Sequence, residues 1–485
     1  MQMADTDVEA PPSAYDYDKL PDATKYVRLF ELHPGDGFKN IVRGRLVTVK
    51  RSKVKKKYQA LSYAWGSDIK TKAVMLDGKI LGITANLEEA LRRLQAEETR
   101  RARVLWIDAI CINQEDPRER SEQVAKMAST FSNAHTVIAW LGEDSANCDG
   151  RIMFHCFEEL STAGREYDAA RRALLTQCHA FFEQFFNRPL WRRTWIYQEV
   201  FVAKRAQLMC GHYVLPWETL MAGLDKACVP LGFFLWNYST AYRATIAYVL
   251  RYHQMTSATN MLQMCSVLQP LQCKDARDHI AALLGLFPAI QFRIDYEATP
   301  KENYTRFARY WASTEQHGSV DVLEYATVFP HQCEADTRVC DWPSWVPDWR
   351  GKPAPCETQG PFVDTSFRST EIHSHSLLVH STLTLRIYPL YYVDTNCDSW
   401  AALEATFLLA VVGHPVDPKP GDVVVSLGSK PHIKLFVVRP LQPKICPQES
   451  CYRLIASCNP QIPHYDKAAK ALARSRPAGK QINII

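Results

Sequence analysis

Leu105–Gln114 reads LWIDAICINQ and continues EDPRERSEQVAKMASTFSNAHTVIAWLG. The first half is a short apolar run, rich in β-branched and aromatic residues, and predicts a buried strand. Within it stands one carboxylate, Asp108. A carboxylate in a buried strand is costly unless it is hydrogen-bonded or used. The polar run Asn113, Gln114, Glu115, Asp116, Pro117 then predicts a loop at the strand's C-terminal end, which is where open α/β sheets place ligands. Val124, Met127, Ala128 and Phe131 recur at helical spacing, with Ser121 as the expected N-cap. Thr136 to Leu141 is the next apolar strand, so the stretch is a strand–helix–strand unit of a parallel sheet.

Working outward, Lys25 to Leu32, Ile41 to Val49, Tyr58 onward and Ala73 to Leu76 read as strands, and Asn86 opens a helix. Tyr58–Gly66 (YQALSYAWG) is apolar first and ends in Ser62, Tyr63, Trp65 and Gly66, again polar groups at a strand's C-terminal end. Arg151 to Phe186 is helical and amphipathic. In Asn187–Val200 (NRPLWRRTWIYQEV), Pro189 starts a helix, on which Trp195 and Glu199, four apart, share one face. Ala206 to Val214 forms a hairpin around Gly211–His212. Trp217 to Leu286 is largely helical, and Lys301 to Thr314 is a further helix. Arg277, Asp278 and His279 read as an ion-paired helix start. From Cys356 onward short alternating segments indicate a β-rich region.

The expected organisation is a flexible leader over 1–24, a first domain over 25–215, a helical extension over 216–330, a β-rich region over 331–466 and a loose basic tail over 467–485. The fold class is α/β, with a mainly parallel sheet flanked by helices.

The chain has 485 residues, 47% hydrophobic and 22% charged, a composition with ample core. A net charge of +5 is small for that length and argues against a nucleic-acid partner. The basic run Arg51–Lys57 (RSKVKKK) is the local exception, read first as a solvated turn and second as a phosphate-binding patch. Fifteen cysteines form no CxxC pair and no secretory signal opens the chain, so the expectation is reduced thiols in a cytoplasmic protein without a metal site. No run is long and apolar enough to span a membrane.

YQALSYAWG, LWIDAICINQEDPRERSEQVAKM and RRTWIYQEVFVAKRA, in this order, resemble the three motifs of the fungal HET (heterokaryon incompatibility) domain. The clear match covers roughly Tyr58 to Cys210. RDHIAALLGL, PSWVPDWR and GDVVVSLG are similar to downstream parts of full-length members, while the glycine-containing ending of many members is missing or altered. The resemblance implies a part in non-self recognition and programmed cell death. HET domains are in turn similar to TIR domains, some of which cleave NAD with a glutamate four residues after a tryptophan. Trp195 and Glu199 have that offset.

On that basis Glu199 is the first catalytic candidate, because a carboxylate near C1′ stabilises the oxocarbenium-like state of nicotinamide–ribose cleavage. Its structural alternative is a bridge to Arg193 or Arg205. Asp108 is the second candidate, to orient a substrate hydroxyl or an arginine. Ser62, Tyr63, Trp65, Gly66, Asn113, Gln114 and Trp195 are the candidate substrate-binding residues. Core packing is the stronger reading for Trp65 than for Tyr63. Loop capping competes for Asn113 and Gln114. No GxGxxG, Walker or GxSxG pattern accompanies them. No cofactor is expected, NAD entering only as substrate, and self-association or an incompatibility protein are the expected partners. The alternatives are a non-catalytic signalling module and an accessory protein of a secondary-metabolite pathway.

Overall fold

A computed structural model of the chain describes residues 13–313 except 36–39, 67–68, 97–101, 163–168, 232–260 and 269–270. Beyond these it describes short pieces between 322 and 350 and the backbone of strands between 377 and 484. The chain divides into two compact units, residues 1–254 with 271–273, and residues 255–270 with 274–485.

The first unit is built on β1 (Tyr26–Leu32), β2 (Val42–Lys50), β3 (Gln59–Tyr63), β4 (Lys72–Leu76), β5 (Lys79–Ile83), helix α1 (Ala85–Ala96), β6 (Arg103–Trp106), α2 (Asp108–Cys111), α3 (Pro117–Val124), α4 (Met127–Asn133), β7 (Thr136–Trp140), α5 (Asp149–Thr162), α6 (Ala169–Phe186), α7 (Trp195–Phe201), β8 (Ala206–Cys210), β9 (Tyr213–Pro216) and α8 (Trp217–Leu231). Its nine strands run in the order β5-β4-β2-β1-β6-β3-β7-β8-β9. The centre, β6-β3-β7-β8, is parallel, and antiparallel pairs flank it on both sides. The α/β class is as the sequence indicates. The β8–β9 hairpin is also as the sequence indicates, whereas the antiparallel pairings of β1 and the strand β5 are not legible in it.

The decisive stretch differs in one place. The strand stops at Trp106, and Asp108 is the first residue of a helical turn, with Cys111 N–H returning to the Ile107 carbonyl at 2.7 Å. Asp108 therefore sits just past the strand end, half-buried. The N-cap of α3 is Asp116, not Ser121. The Asp116 side chain accepts from Arg118 N–H and Glu119 N–H, and Pro117 fills the first helical position.

A buried ion pair fixes this loop. Arg28, buried on β1, donates to both Glu119 oxygens at 2.6 and 3.0 Å and to the Cys111 carbonyl at 3.2 Å. Glu119 also accepts from Asn113 N–H at 2.8 Å. The second Arg28 amine reaches the Asp18 carbonyl at 2.6 Å, and Tyr17 lies over its guanidinium and donates to the Ile110 carbonyl. Residues 13–24 of the expected flexible leader are thus tied to the fold, with Tyr15 and Ser13 also bonded to Ile80. Residues 1–12 lie outside the described residues.

Within the second unit, helices Met261–Leu268, Asp278–Leu284 and Pro300–Ser313 are apolar on their inner faces. Arg277 pairs with Asp275 rather than within Arg277–Asp278–His279, and Tyr296 donates to Asp278. A seven-stranded, mostly antiparallel sheet occupies residues 377–484. Lys480–Ile484 of the expected loose tail is one of its strands, pairing with Thr382–Tyr392. No helix among the described residues is long and apolar enough to cross a membrane.

Removing one partner of a buried ion pair strands the other charge at a cost of about 3–5 kcal/mol. Glu119→Gln is expected to lower the unfolding free energy by that amount, read as a lower urea midpoint with an unchanged m-value, and a loss under about 1 kcal/mol would contradict the loop's dependence on the pair.

Candidate functional site

The parallel centre puts the C-terminal ends of β3 and β6 side by side, and α7 packs against β3 and β7. Three separated stretches meet there. Ser62, next to last on β3, donates its hydroxyl to Glu199 in a very short hydrogen bond. Arg193 holds the same carboxylate through two bonds, of 3.2 Å and 3.3 Å. The Glu199 side chain is 2% exposed and that of Arg193 16%. The structural alternative for Glu199 and the site geometry are therefore both present: the carboxylate is ion-paired and it stands at the strand end.

Arg193 reaches this place because its backbone is clamped. The Pro189–Arg192 turn ends at it, and α7 does not continue that turn; the single expected helix is split between Arg192 and Trp195. Gln272 bridges the gap, donating to the Arg192 carbonyl at 2.6 Å and accepting from Thr194 N–H at 3.1 Å.

Beside this pair, Asp108 accepts from the Trp65 indole N–H at 2.9 Å and from Ala109 N–H at 2.7 Å. Burial pushes its carboxyl up to about 6. Arg193 opposes the shift, Glu199 adds to it, and the bonds from Trp65 and Ala109 oppose it. Tyr63 is 1% exposed, and its buried hydroxyl faces Asp108. Burial raises that hydroxyl well above its ordinary value, and it feels the charges of Asp108, Arg193 and Glu199. The expected roles of the two aromatics are thereby exchanged: Tyr63, the last residue of the strand, is the buried ring, while Trp65 is half-buried beyond it. Gly66 is exposed at φ +71°, with nothing within 4 Å of where a Cβ would stand. Its conformation favours glycine.

Asn113 and Gln114 serve the loop. Asn113 accepts from Glu115 N–H at 3.1 Å, and the Gln114 amide donates to the Asp108 carbonyl at 2.9 Å. Trp195, half-buried, opens α7 four residues before Glu199. Sequence reading misses Asn86, which donates to the Ala64 carbonyl at 2.6 Å and accepts from Trp140 at 2.9 Å, tying the β3 loop to β7. A polar residue at the start of α1, opposite two tryptophan-bearing strands, is the only signal for it. Among the described residues no group of three or more histidine, cysteine or acidic side chains is placed to hold a metal ion.

The arrangement is a buried acid–base constellation: one carboxylate charge-balanced by arginine, a second of raised pKa, and a serine and a tyrosine hydroxyl between them. An ionised oxygen in this setting can stabilise a cation, and Arg193 can exchange Glu199 for an anionic group.

Residues 58–199 match the family model described as Heterokaryon incompatibility protein (HET). The chain is also 26% identical over 427 residues to "Heterokaryon incompatibility protein 6, OR allele" of Neurospora crassa. That similarity covers 72% of this chain and 62% of the relative, so the chain spans less than two thirds of that protein's length. No solved structure matches.

A carboxyl whose pKa is raised on folding penalises the folded state when ionised, and the penalty is relieved as pH falls through the folded value of about 6 toward the unfolded one. Asp108→Asn is therefore expected to raise the melting temperature at pH 8, with the gain shrinking below pH 6 and gone near pH 4. A gain independent of pH would contradict this placement of Asp108.

Proposed function

We propose that this chain, which carries a HET domain at residues 58–199, acts in fungal heterokaryon incompatibility and regulated cell death by TIR-like hydrolysis of NAD at the nicotinamide–ribose bond. The observation that carries the reading is the convergence of Glu199, Arg193 and Ser62 with Asp108 at the C-terminal edge of the parallel strands.

In this mechanism the glycosidic bond breaks with its electron pair moving to the nicotinamide ring nitrogen, which leaves neutral. The positive charge develops on C1′ and the ring oxygen of the ribose. Glu199 faces that charge and takes a proton from the attacking water, so that NAD and water give ADP-ribose, nicotinamide and a proton. Arg193 transfers from Glu199 to the pyrophosphate as substrate enters, which frees the carboxylate and charge-balances the phosphates. Trp65 and the open backbone at Gly66 border the entrance, and Asp108 orients a ribose hydroxyl. Glu199 is almost fully covered when paired with Arg193, so the resting chain is inactive until that pair opens.

The test is incubation of the full-length protein with NAD, alone and under conditions that concentrate it. Nicotinamide release by the wild type and a drop of about 100-fold or more in Glu199→Gln is the expected result. No release under either condition, or equal release by the variant, would contradict it. A folded, inactive protein would favour a non-catalytic signalling module.

A further inference from the structure

The edge of the sheet opposite the site carries a second feature. Lys55, Lys56 and Lys57 end the β2–β3 connection and are exposed. Three backbone hydrogen bonds then knit distant stretches onto the same edge. Lys56 N–H bonds to the Asn133 carbonyl, His135 N–H to the Tyr58 carbonyl and Val137 N–H to the Arg205 carbonyl, at 2.7, 2.7 and 2.9 Å. Because β3, β7 and β8 are parallel, their N-terminal ends lie together, roughly 5 Å from strand to strand. Lys55, Lys56, Lys57, His135, Lys204 and Arg205 consequently form one basic rim, each exposed. None of the six makes an ion pair among the described residues, and Glu31, farther along the same edge on β1, is bonded to Arg45.

We propose that this rim is an adsorption surface for the anionic lipid headgroups of a membrane. Lysines are strongly hydrated point charges, depleted from protein–protein interfaces but suited to a diffuse, phosphate-bearing surface. Single-stranded nucleic acid needs exposed aromatic platforms. The only large hydrophobic side chains exposed among the described residues are Ile69 and Val214, so the rim offers neither stacking nor insertion. Binding is peripheral and electrostatic. It leaves the Glu199 edge of the sheet facing away from the lipid.

Co-sedimentation of the full-length protein with phosphatidylserine-containing vesicles, and with vesicles of phosphatidylcholine alone, tests this. The wild type is expected to bind only the anionic vesicles and to release in high salt. Two variants from different segments, Lys55→Glu with Lys57→Glu and Lys204→Glu with Arg205→Glu, are each expected to weaken partitioning by about 100-fold or more. Glutamine substitutions at the same positions (Lys55→Gln with Lys57→Gln, and Lys204→Gln with Arg205→Gln) give a smaller loss and serve if either charge reversal fails to fold. Overturning results are equal binding to neutral vesicles, wild-type binding by the variants, or retention of double-stranded DNA or an acidic peptide with no vesicle binding.

Discussion

Burying Glu199 beneath the end of β3 is tolerable only because its charge is answered on both oxygens. Arg193 supplies a counter-charge six residues upstream, and Ser62 supplies a hydroxyl from a strand 137 positions away in sequence. An unpaired carboxylate at that depth would neutralise or unfold its surroundings. The position of α7 therefore follows from the pair. So does the break between the Pro189–Arg192 turn and α7, which frees the Arg193 backbone to be held by Gln272. The same pairing that makes the carboxylate stable covers it, and chemistry at this place requires an anion able to draw Arg193 away.

A second buried pair sets the other wall. Arg28 and Glu119 fix the loop after β6, and with it the height at which Asp108 emerges. The residues before β1 close over Arg28 and add the Asp18 carbonyl and the Tyr17 ring to the same cation. Each wall is thus a cation–carboxylate pair whose members come from different elements, and between the walls burial raises the Asp108 carboxyl and the Tyr63 hydroxyl while the charges of Arg193 and Glu199 act on both.

The parallel centre was legible because β3, β6 and β7 are short apolar runs ending in polar clusters, and that pattern also exposed Ser62 and Asp108 as candidates, whereas Glu199 came from the family resemblance and its offset from Trp195. The β4–β5 hairpin was harder, since β5 (KILGI) is only half-buried and its alternation is weak. Asp108 was misplaced into a strand because LWIDAIC is uniformly apolar on either side, and periodicity cannot separate a strand from a buried helical turn over so few residues. Tyr63 and Trp65 exchanged roles because the register of β3, fixed by β7, decides which ring faces inward. The basic rim needed topology: RSKVKKK alone is a turn, and only the parallel ladder brings Lys204 and Arg205 beside it.

The central claim is that Glu199, Arg193 and Asp108 form one electrostatic group at the strand ends. Titrating the Asp108 carboxyl by carbon-13 NMR, in the wild type and in Arg193→Gln, reads that coupling directly. The account predicts a wild-type midpoint near 6 and a clear upward shift once the guanidinium is gone. An Asp108 midpoint that ignores the loss of Arg193 would contradict it.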